Sequence, residues 1–421
     1  MPSIILVTGA TGYIASLLIP KLLERGYQVR ALARQPERLK ARAWFKQVEM
    51  VQGDVTDPAS LAPALMGIHA AYYLIHNMAS GHGYTSIELE GARNFASAAE
   101  QAGVEHIIYL GGLADPEQHI APHMRSRIET GMTLRQGPVP VTEFRAGVIV
   151  GSGSISFEMI RFMTELFPIV PGPAWLKNKS NPIASQNVVD YLLAALTNPN
   201  GRGRVFEIGM KDTFTYQELM KRYAELRGHK RVFVLIPFIP IWFMAFGIDL
   251  MTPVQRRIAY ALVGGLSSDS IVLHDEARET FPEVRLMEYE PAVAEAMRRL
   301  HPLKIERVWE DGSSGVKFLK HEGFFIEHRE KRVDVNEEAI AATLSALGYE
   351  QAGEGLYLQK LPSRFGEAWV EWRASNSRLE QTAYFAPRGM GGFLFWWLSF
   401  PFRALKLKTL LDGLAKKAVV Q

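Results

Sequence analysis

The segment Thr8-Gly9-Ala10-Thr11-Gly12-Tyr13-Ile14-Ala15 carries the residue types that let a backbone close around a phosphate. It follows the apolar run Ile4–Val7 and opens a stretch of helical spacing, the context in which such a turn has chemical meaning. Gly9 permits the tight turn, Gly12 lets a pyrophosphate approach the backbone, and the small Ala15 lets the helix pack on the strand. Free N–H groups and the dipole of the helix start then hold the phosphates. Ala10, Thr11, Tyr13 and Ile14 thereby join the two glycines as candidate dinucleotide contacts.

The second strand is expected to say which dinucleotide. An acid about twenty residues past the turn would bond the adenosine ribose hydroxyls. Here the strand reads Val29-Arg30-Ala31-Leu32-Ala33-Arg34, with Arg38 and Lys40 following. A cation at Arg34 would attract a 2′-phosphate that an acid would repel, so NADP is expected over NAD; a solvated basic helix start is the other reading. Gly53-Asp54-Val55 suits the adenine, with Asp54 accepting from its exocyclic amine. Leu74, Ile75 and Gly111, at the ends of two later strands, complete the expected cofactor set. Tyr73, His76 and His82 stand at the fourth strand's end, where a doubly wound sheet faces its ligand, and are candidate proton donors. Tyr72 and Tyr73 alternate faces, so one of them belongs to the core.

These residues need a parallel sheet to position them. Short β-branched runs at Ile4–Val7, Gln28–Ala33, Val48–Val51, Ala70–Ile75, His106–Leu110 and Val141–Val150 alternate with helical stretches at Leu17–Glu24, Ile87–Ala102 and Arg125–Gln136. Tight strand–helix alternation implies a doubly wound α/β Rossmann sheet covered on both faces. From residue 151 to about 302 the pattern loosens around several prolines, as in a segment that builds a substrate pocket over the sheet edge. The apolar stretches Phe167–Leu176 and Val232–Phe246 make an apolar small molecule, lipid- or quinone-like, the expected substrate. Residues 1–302 are read as one NAD(P)-binding unit and residues 303–421 as a second, α+β domain.

Composition narrows the classes further. The chain has 421 residues and no cysteine, which excludes disulfides, a thiolate nucleophile and cysteine-held metal. No metal site is expected. Forty-seven basic against 44 acidic residues is too slight an excess to imply nucleic acid. Glycines interrupt the first apolar run, so a signal peptide is not expected, and a cytoplasmic protein is. Val232–Ile248 and Gly391–Leu405 are long apolar stretches, but prolines break both, and neither reaches the ~20 residues of a membrane span.

Several stretches resemble the atypical branch of the short-chain dehydrogenase/reductase superfamily, of NmrA-like, extended type. They are the phosphate turn, Tyr72-Tyr73-Leu74-Ile75-His76-Asn77-Met78, Tyr109-Leu110-Gly111-Gly112-Leu113 and Gly151-Ser152-Gly153-Ser154. Ser156-Phe157-Glu158-Met159-Ile160-Arg161, Asn181-Pro182-Ile183-Ala184 and Thr252-Pro253 extend the match to a bacterial group carrying a C-terminal domain of unknown function. The resemblance implies a Tyr-x-x-x-Lys pair on the helix after the fifth strand and a serine at that strand's end. This chain places His123, Arg127 and Gly111-Gly112 there instead. His123 could still exchange a proton near neutrality, or be a helix-start histidine only. Arg127 could bind the nicotinamide ribose or an anion but would not deprotonate. An NADPH-dependent oxidoreductase is therefore expected, with a non-catalytic NADP-bound sensor, assembly factor or scaffold as the alternative.

In the second domain, Leu356–Leu361, Ala368–Ala374 and Arg378–Phe385 read as strands, Glu337–Leu347 as a helix, and the chain closes with a long apolar-to-basic helix. This is similar to a helix-grip, lipid-binding domain, shortened because the span between Leu347 and Phe365 is brief. The Phe393–Trp397 cluster could pack in the core, line a cavity, dock on the first domain or touch a membrane. Basic residues after an aromatic run suit an interfacial helix, so peripheral membrane contact through the last helix is a further expectation.

Overall fold

A computed structural model describes residues 3–40, 42–76, 84–115, 117–118, 120–236, 239–252, 256–304, 317–321, 323–332, 337–353, 355–375 and 378–418. His82, Asn77, Met78 and Pro253 lie outside the described residues.

Seven strands form the first sheet: β1 (Ile4–Thr8), β2 (Gln28–Ala33), β3 (Glu49–Gln52), β4 (Ala70–Tyr73), β5 (His106–Gly112), β6 (Val141–Ala146) and β7 (Val205–Ile208). Their order is β7-β6-β5-β4-β1-β2-β3, and every pairing is parallel. Strands buried on both faces must be apolar throughout, which is why β1 and β4 read IILVT and AAYY. Helices α1 (Tyr13–Glu24), α2 (Pro58–Leu65), α3 (Tyr84–Gln101), α4 (Pro122–Leu134) and α6 (Ser185–Thr197) flank this sheet, and α5 (Ile155–Leu166) follows it. The chain order reverses between β1 and β4, which opens a crevice beyond their carboxyl ends.

The loose segment adds α7 (Tyr216–Leu226), α8 (Ile241–Met251), α9 (Arg256–Gly265), α10 (Glu276–Thr280) and α11 (Tyr289–Arg298). Residues 149–150, 169–172, 179–180, 183–184, 214–215 and 232–235 make short strand pairs outside the main sheet. The second domain is a six-stranded antiparallel sheet of β8 (Lys317–His321), β9 (Phe324–Arg332), β10 (Glu350–Gly353), β11 (Leu356–Leu361), β12 (Gly366–Ser375) and β13 (Arg378–Pro387). Its order is β8-β9-β13-β12-β11-β10. Leu356–Leu361 is a strand as expected, and the brief span between Leu347 and Phe365 holds β10 beside it. Helices α12 (Glu337–Ala346) and α14 (Phe400–Ala418) join this sheet's core, where Ile340, Leu344, Leu407 and Leu411 meet Trp372 and Leu379.

Helix α5 joins the two units. Phe162 meets Phe325 edge-on at 5.7 Å, and the Arg161 guanidinium donates to the Gly323 carbonyl at 2.7 Å. From α13 (Gly389–Leu398), Trp396 stacks on Phe385 at 5.4 Å, and the Gly389 N–H donates to Glu165 at 3.1 Å. Part of the Phe393–Trp397 cluster therefore docks at this junction. Replacing Trp396 by alanine is expected to cost about 3–5 kcal/mol, because its ring is 3% exposed and also sits under the Arg403 guanidinium. Denaturant unfolding of the variant checks this; a midpoint equal to wild type would contradict the packing.

Candidate functional site

The turn after β1 is held by the strand beside it. Thr8 Oγ1 donates to the Tyr72 carbonyl at 3.0 Å and accepts from the Leu74 N–H at 3.1 Å. Gly9 has φ +64°, and a Cβ there would lie 2.6 Å from the Leu74 carbonyl oxygen. Both the left-handed backbone and the close approach demand glycine. Gly12 stands at the N-cap of α1, so no side chain caps the helix, and its first turn holds no acid. The helix start is left to an anionic ligand.

Beyond the turn lies a cleft of about 650 Å³, lined by Gly9–Gly12, Leu32–Arg34, Gly53–Val55 and Leu74–His76. Arg34 is exposed at the end of β2. Asp54 Oδ1 accepts from the Thr56 N–H and hydroxyl at 3.0 and 2.9 Å, which orients the carboxylate at the rim. Gly9, Ala10, Thr11, Gly12, Arg34, Asp54, Val55, Leu74, Ile75 and His76 thus share one cleft.

Other expected residues lie elsewhere. Ile14 packs its side chain on the core, and the Tyr13 hydroxyl fills the space beside Gly151 and Ser185, so only the backbone of both faces the phosphate position. Gly111 faces inward: a Cβ there would meet the Tyr109 ring at 3.1 Å and the Glu143 carboxylate at 3.2 Å. Tyr72 and Tyr73 are both core residues, not one of them. Tyr72 donates to the Leu192 carbonyl at 2.8 Å. Tyr73 is 1% exposed and packed against Phe95 and Tyr109. Burial raises the Tyr73 hydroxyl pKa far above its ordinary value, so it is a poor proton donor.

Arg127 is half-buried. Its guanidinium donates to the Leu110 carbonyl at 3.0 Å, and its own carbonyl accepts from the Tyr109 hydroxyl at 2.8 Å. A Cβ on Gly112 would lie 3.1 Å from Arg127 Cδ and 2.8 Å from Met124 Cε. Gly112 and Arg127, which stand where the resemblance implies a serine and a lysine, are therefore coupled by packing. His123 is buried on α4 and packed against Gly265 of α9. Burial, with His76 and Arg127 adding positive charge nearby, holds its imidazole pKa down to about 4.

A constellation not anticipated in the sequence surrounds His76. Its Nδ1 lies 3.0 Å from Glu88 Oε1, and Ser126 Oγ donates to Glu88 Oε2. Nε2 is buried with no partner among the described residues. Burial and then Arg127 lower the His76 pKa, while Glu88 opposes them. The available signal was helical phase: the buried face of α3 carries Glu88, Ala92, Phe95 and Ala99, whereas a stripe through Ile87 and Gly91 leaves Glu88 outside. An acid in a buried stripe needs a partner.

A second, largely apolar cavity is lined by Met159, Met163, Trp175, Met220, Met244 and Leu262, among others. Val263 and Leu266 also line it, so it flanks the helix whose Gly265 touches His123. Among the described residues there is no cluster suited to a metal ion.

The sheet order and the phosphate turn define an NAD(P)-binding Rossmann domain. Residues 9–130 match the NAD(P)H-binding family model. The photosystem II assembly factor Ycf39 of Cyanophora paradoxa is 25% identical over 55% of this chain and 71% of its own. The (4-alkanoyl-5-oxo-2,5-dihydrofuran-3-yl)methyl phosphate reductase of Streptomyces griseus is 29% identical over 58% of this chain and 78% of its own. The structure of Citrobacter sp. triphenylmethane reductase complexed with NADP(H) covers 69% of this chain and 99% of its own, with 22% identity and a TM-score of 0.57. The first unit thus shares its fold with that reductase.

The His123 pKa has a consequence for stability. Between about pH 6.5 and pH 4 the unfolded chain takes up a proton that the folded chain refuses, so stability is complete above 6.5 and falls as pH drops toward 4. The full loss is on the order of 3 kcal/mol. Denaturant titrations at stepped pH check this: His123→Gln should flatten the decline, and an unchanged slope would contradict it.

Proposed function

We propose that the chain is an NADPH-dependent reductase of an apolar, lipid- or quinone-like carbonyl or enone, with the His76–Glu88 pair handling the proton. The observation that carries this reading is that His76, on the wall of the dinucleotide cleft, is oriented by a buried carboxylate. Arg34 would hold the 2′-phosphate, Gly9–Gly12 and the start of α1 the pyrophosphate, and Asp54 the adenine amine. NADPH supplies a hydride when bound. Reduction then needs a proton at the substrate oxygen, and a protonated His76 can give it from Nε2 while Nδ1 stays on Glu88. Glu88 stabilises that imidazolium as a buried carboxylate does in other histidine-centred sites, and Ser126 fixes its second oxygen. The relatives named above include a reductase and a reductase bound to NADP(H), which supports the same assignment.

The non-catalytic reading also has an observation behind it. Arg127 is committed to a main-chain carbonyl, Tyr73 is core, and one relative is named as an assembly factor. Turnover separates the two. NADPH oxidation with a panel of apolar carbonyls, enones and quinones should rise as pH falls below neutrality, since the acid form of His76 is the active one. His76→Ala should lower it about a hundredfold and leave NADPH binding intact. Intact binding with no oxidation of NADPH by any acceptor would select the sensor or scaffold. Separately, Arg34→Ala should weaken NADPH at least about tenfold relative to NADH; equal weakening of both would overturn the NADP assignment.

A further inference from the structure

Two aromatic patches stand out on the surface. Beyond the junction, α13 and α14 expose Trp397, Leu398, Phe402 and Leu405, with Leu398 and Phe402 74% and 79% accessible. The opposite stripe of α14, Leu407, Leu411 and Leu414, is buried, so the exposed apolar residues are not needed for its packing. On α8, Trp242 and Phe243 are 57% and 56% accessible. Both helices lean on α5: Met159 packs with Ala245 and Ile248 of α8, and Phe162 with Trp396 of α13. Three residues apart on a helix, Met159 and Phe162 lie about 60° round its axis from each other. The two patches therefore flank neighbouring faces of one helix.

Charge decides what such patches would meet. From Arg388 to Leu411 the chain has four cations, Arg388, Arg403, Lys406 and Lys408, and no acid before Asp412. Arg403 is tied to Glu327, but Lys406 and Lys408 are exposed. Lys406 follows Phe402 by four residues and Lys408 follows Leu405 by three, so each cation stands beside an exposed apolar side chain. From Lys230 to Ile248 there is again no acid before Asp249; of its two cations Lys230 is exposed, while Arg231 donates to the Thr164 and Glu165 carbonyls. Aromatic and leucine side chains framed by lysine, without acids, match the interface of a bilayer bearing anionic headgroups.

We infer that this chain docks peripherally on an anionic lipid surface through the α13–α14 elbow and the outer face of α8. Among the described residues no helix is long and apolar enough to cross a membrane, so the contact is interfacial. The inner face of α8, Met244 and Ile248, lines the apolar cavity. One helix therefore separates the lipid-facing patch from the cavity, which suits a substrate drawn from the bilayer; this last link rests on the apolar-substrate reading.

Vesicle flotation of the full chain, without cofactor or substrate, tests the docking independently of any turnover. Phosphatidylcholine vesicles containing phosphatidylglycerol should carry the chain, high salt should release it, and phosphatidylcholine alone should bind it weakly. The triple variant Leu398→Ser, Phe402→Ser, Leu405→Ser should lose binding about tenfold or more while keeping its unfolding midpoint. Lys406→Glu with Lys408→Glu should lose only the salt-sensitive part, and Trp242→Ser with Phe243→Ser should weaken binding by a smaller factor. A folded chain that ignores anionic vesicles, or a triple variant that binds as well as wild type, would overturn the inference. So would a dimer that the triple variant dissociates without any vesicle binding, because the patch would then be covered by a second copy.

Discussion

A buried ion pair on α5 ties the parts of this molecule together. Glu158 is fully buried and bonded to Arg161 at 2.5 Å. Its other oxygen accepts from the Gly153 N–H at 3.0 Å, on the loop whose Gly151 meets the Tyr13 hydroxyl. Arg161 in turn reaches the Gly323 carbonyl in the second domain. Removing either charge would strand the other in a low-dielectric interior, a far larger penalty than the pair's net contribution to stability. The chain of contacts runs from the start of α1 to the antiparallel sheet. One turn later Glu165 accepts from Tyr223, Arg227 and His229 as well as from Gly389, so the same helix fixes α7 and α13. Ser156, Met159, Ile160 and Met163 of α5 line the apolar cavity. A single helix thus sets the position of the second domain and the shape of the pocket.

The parts of this arrangement that follow from local pattern were legible in the sequence. Gly9 and Gly12 between a strand and a helix announce the phosphate turn because backbone conformation there admits little else. Arg34 and Asp54 follow from their distance along the chain to strand ends that all point toward one crevice. Gln28–Ala33 and Leu356–Leu361 have the same limits in sequence and structure, since Gly26 and Gly355 lie just before them and Arg34 and Pro362 just after. Their neighbours were less sharp: Val141–Val150 breaks into two strands, with Gly147 packed against Ser180 and Ser270.

What was not legible depends on contacts distant in sequence. His76, Glu88 and Ser126 come together from the end of β4 and from two helices, α3 and α4, and nothing local marks Glu88 once the phase of α3 is misjudged by one residue. Gly111 stands at the end of a strand like Leu74 and Ile75, but strand-end position does not settle which face a residue shows, and this one faces Glu143. The tyrosines of β4 illustrate the same limit, because alternation suggests an outward face that does not exist when both sides of a sheet are covered. In the second domain, β10 pairs with β11 around an irregular register, a feature with no counterpart in apolar periodicity.

Gly112 shows how these positions constrain one another. Because it lacks a side chain, Arg127 can lie across it and hold the Leu110 carbonyl, while His123 fits against another glycine, Gly265. A Cβ at Gly112 would press on Met124 and Arg127, and one at Gly265 on His123, so the effects of substitutions in each set are non-additive. A larger residue at either glycine is accommodated only together with a change in the side chain that lies over it, which makes the wall of α4 one coupled unit in any mutational series.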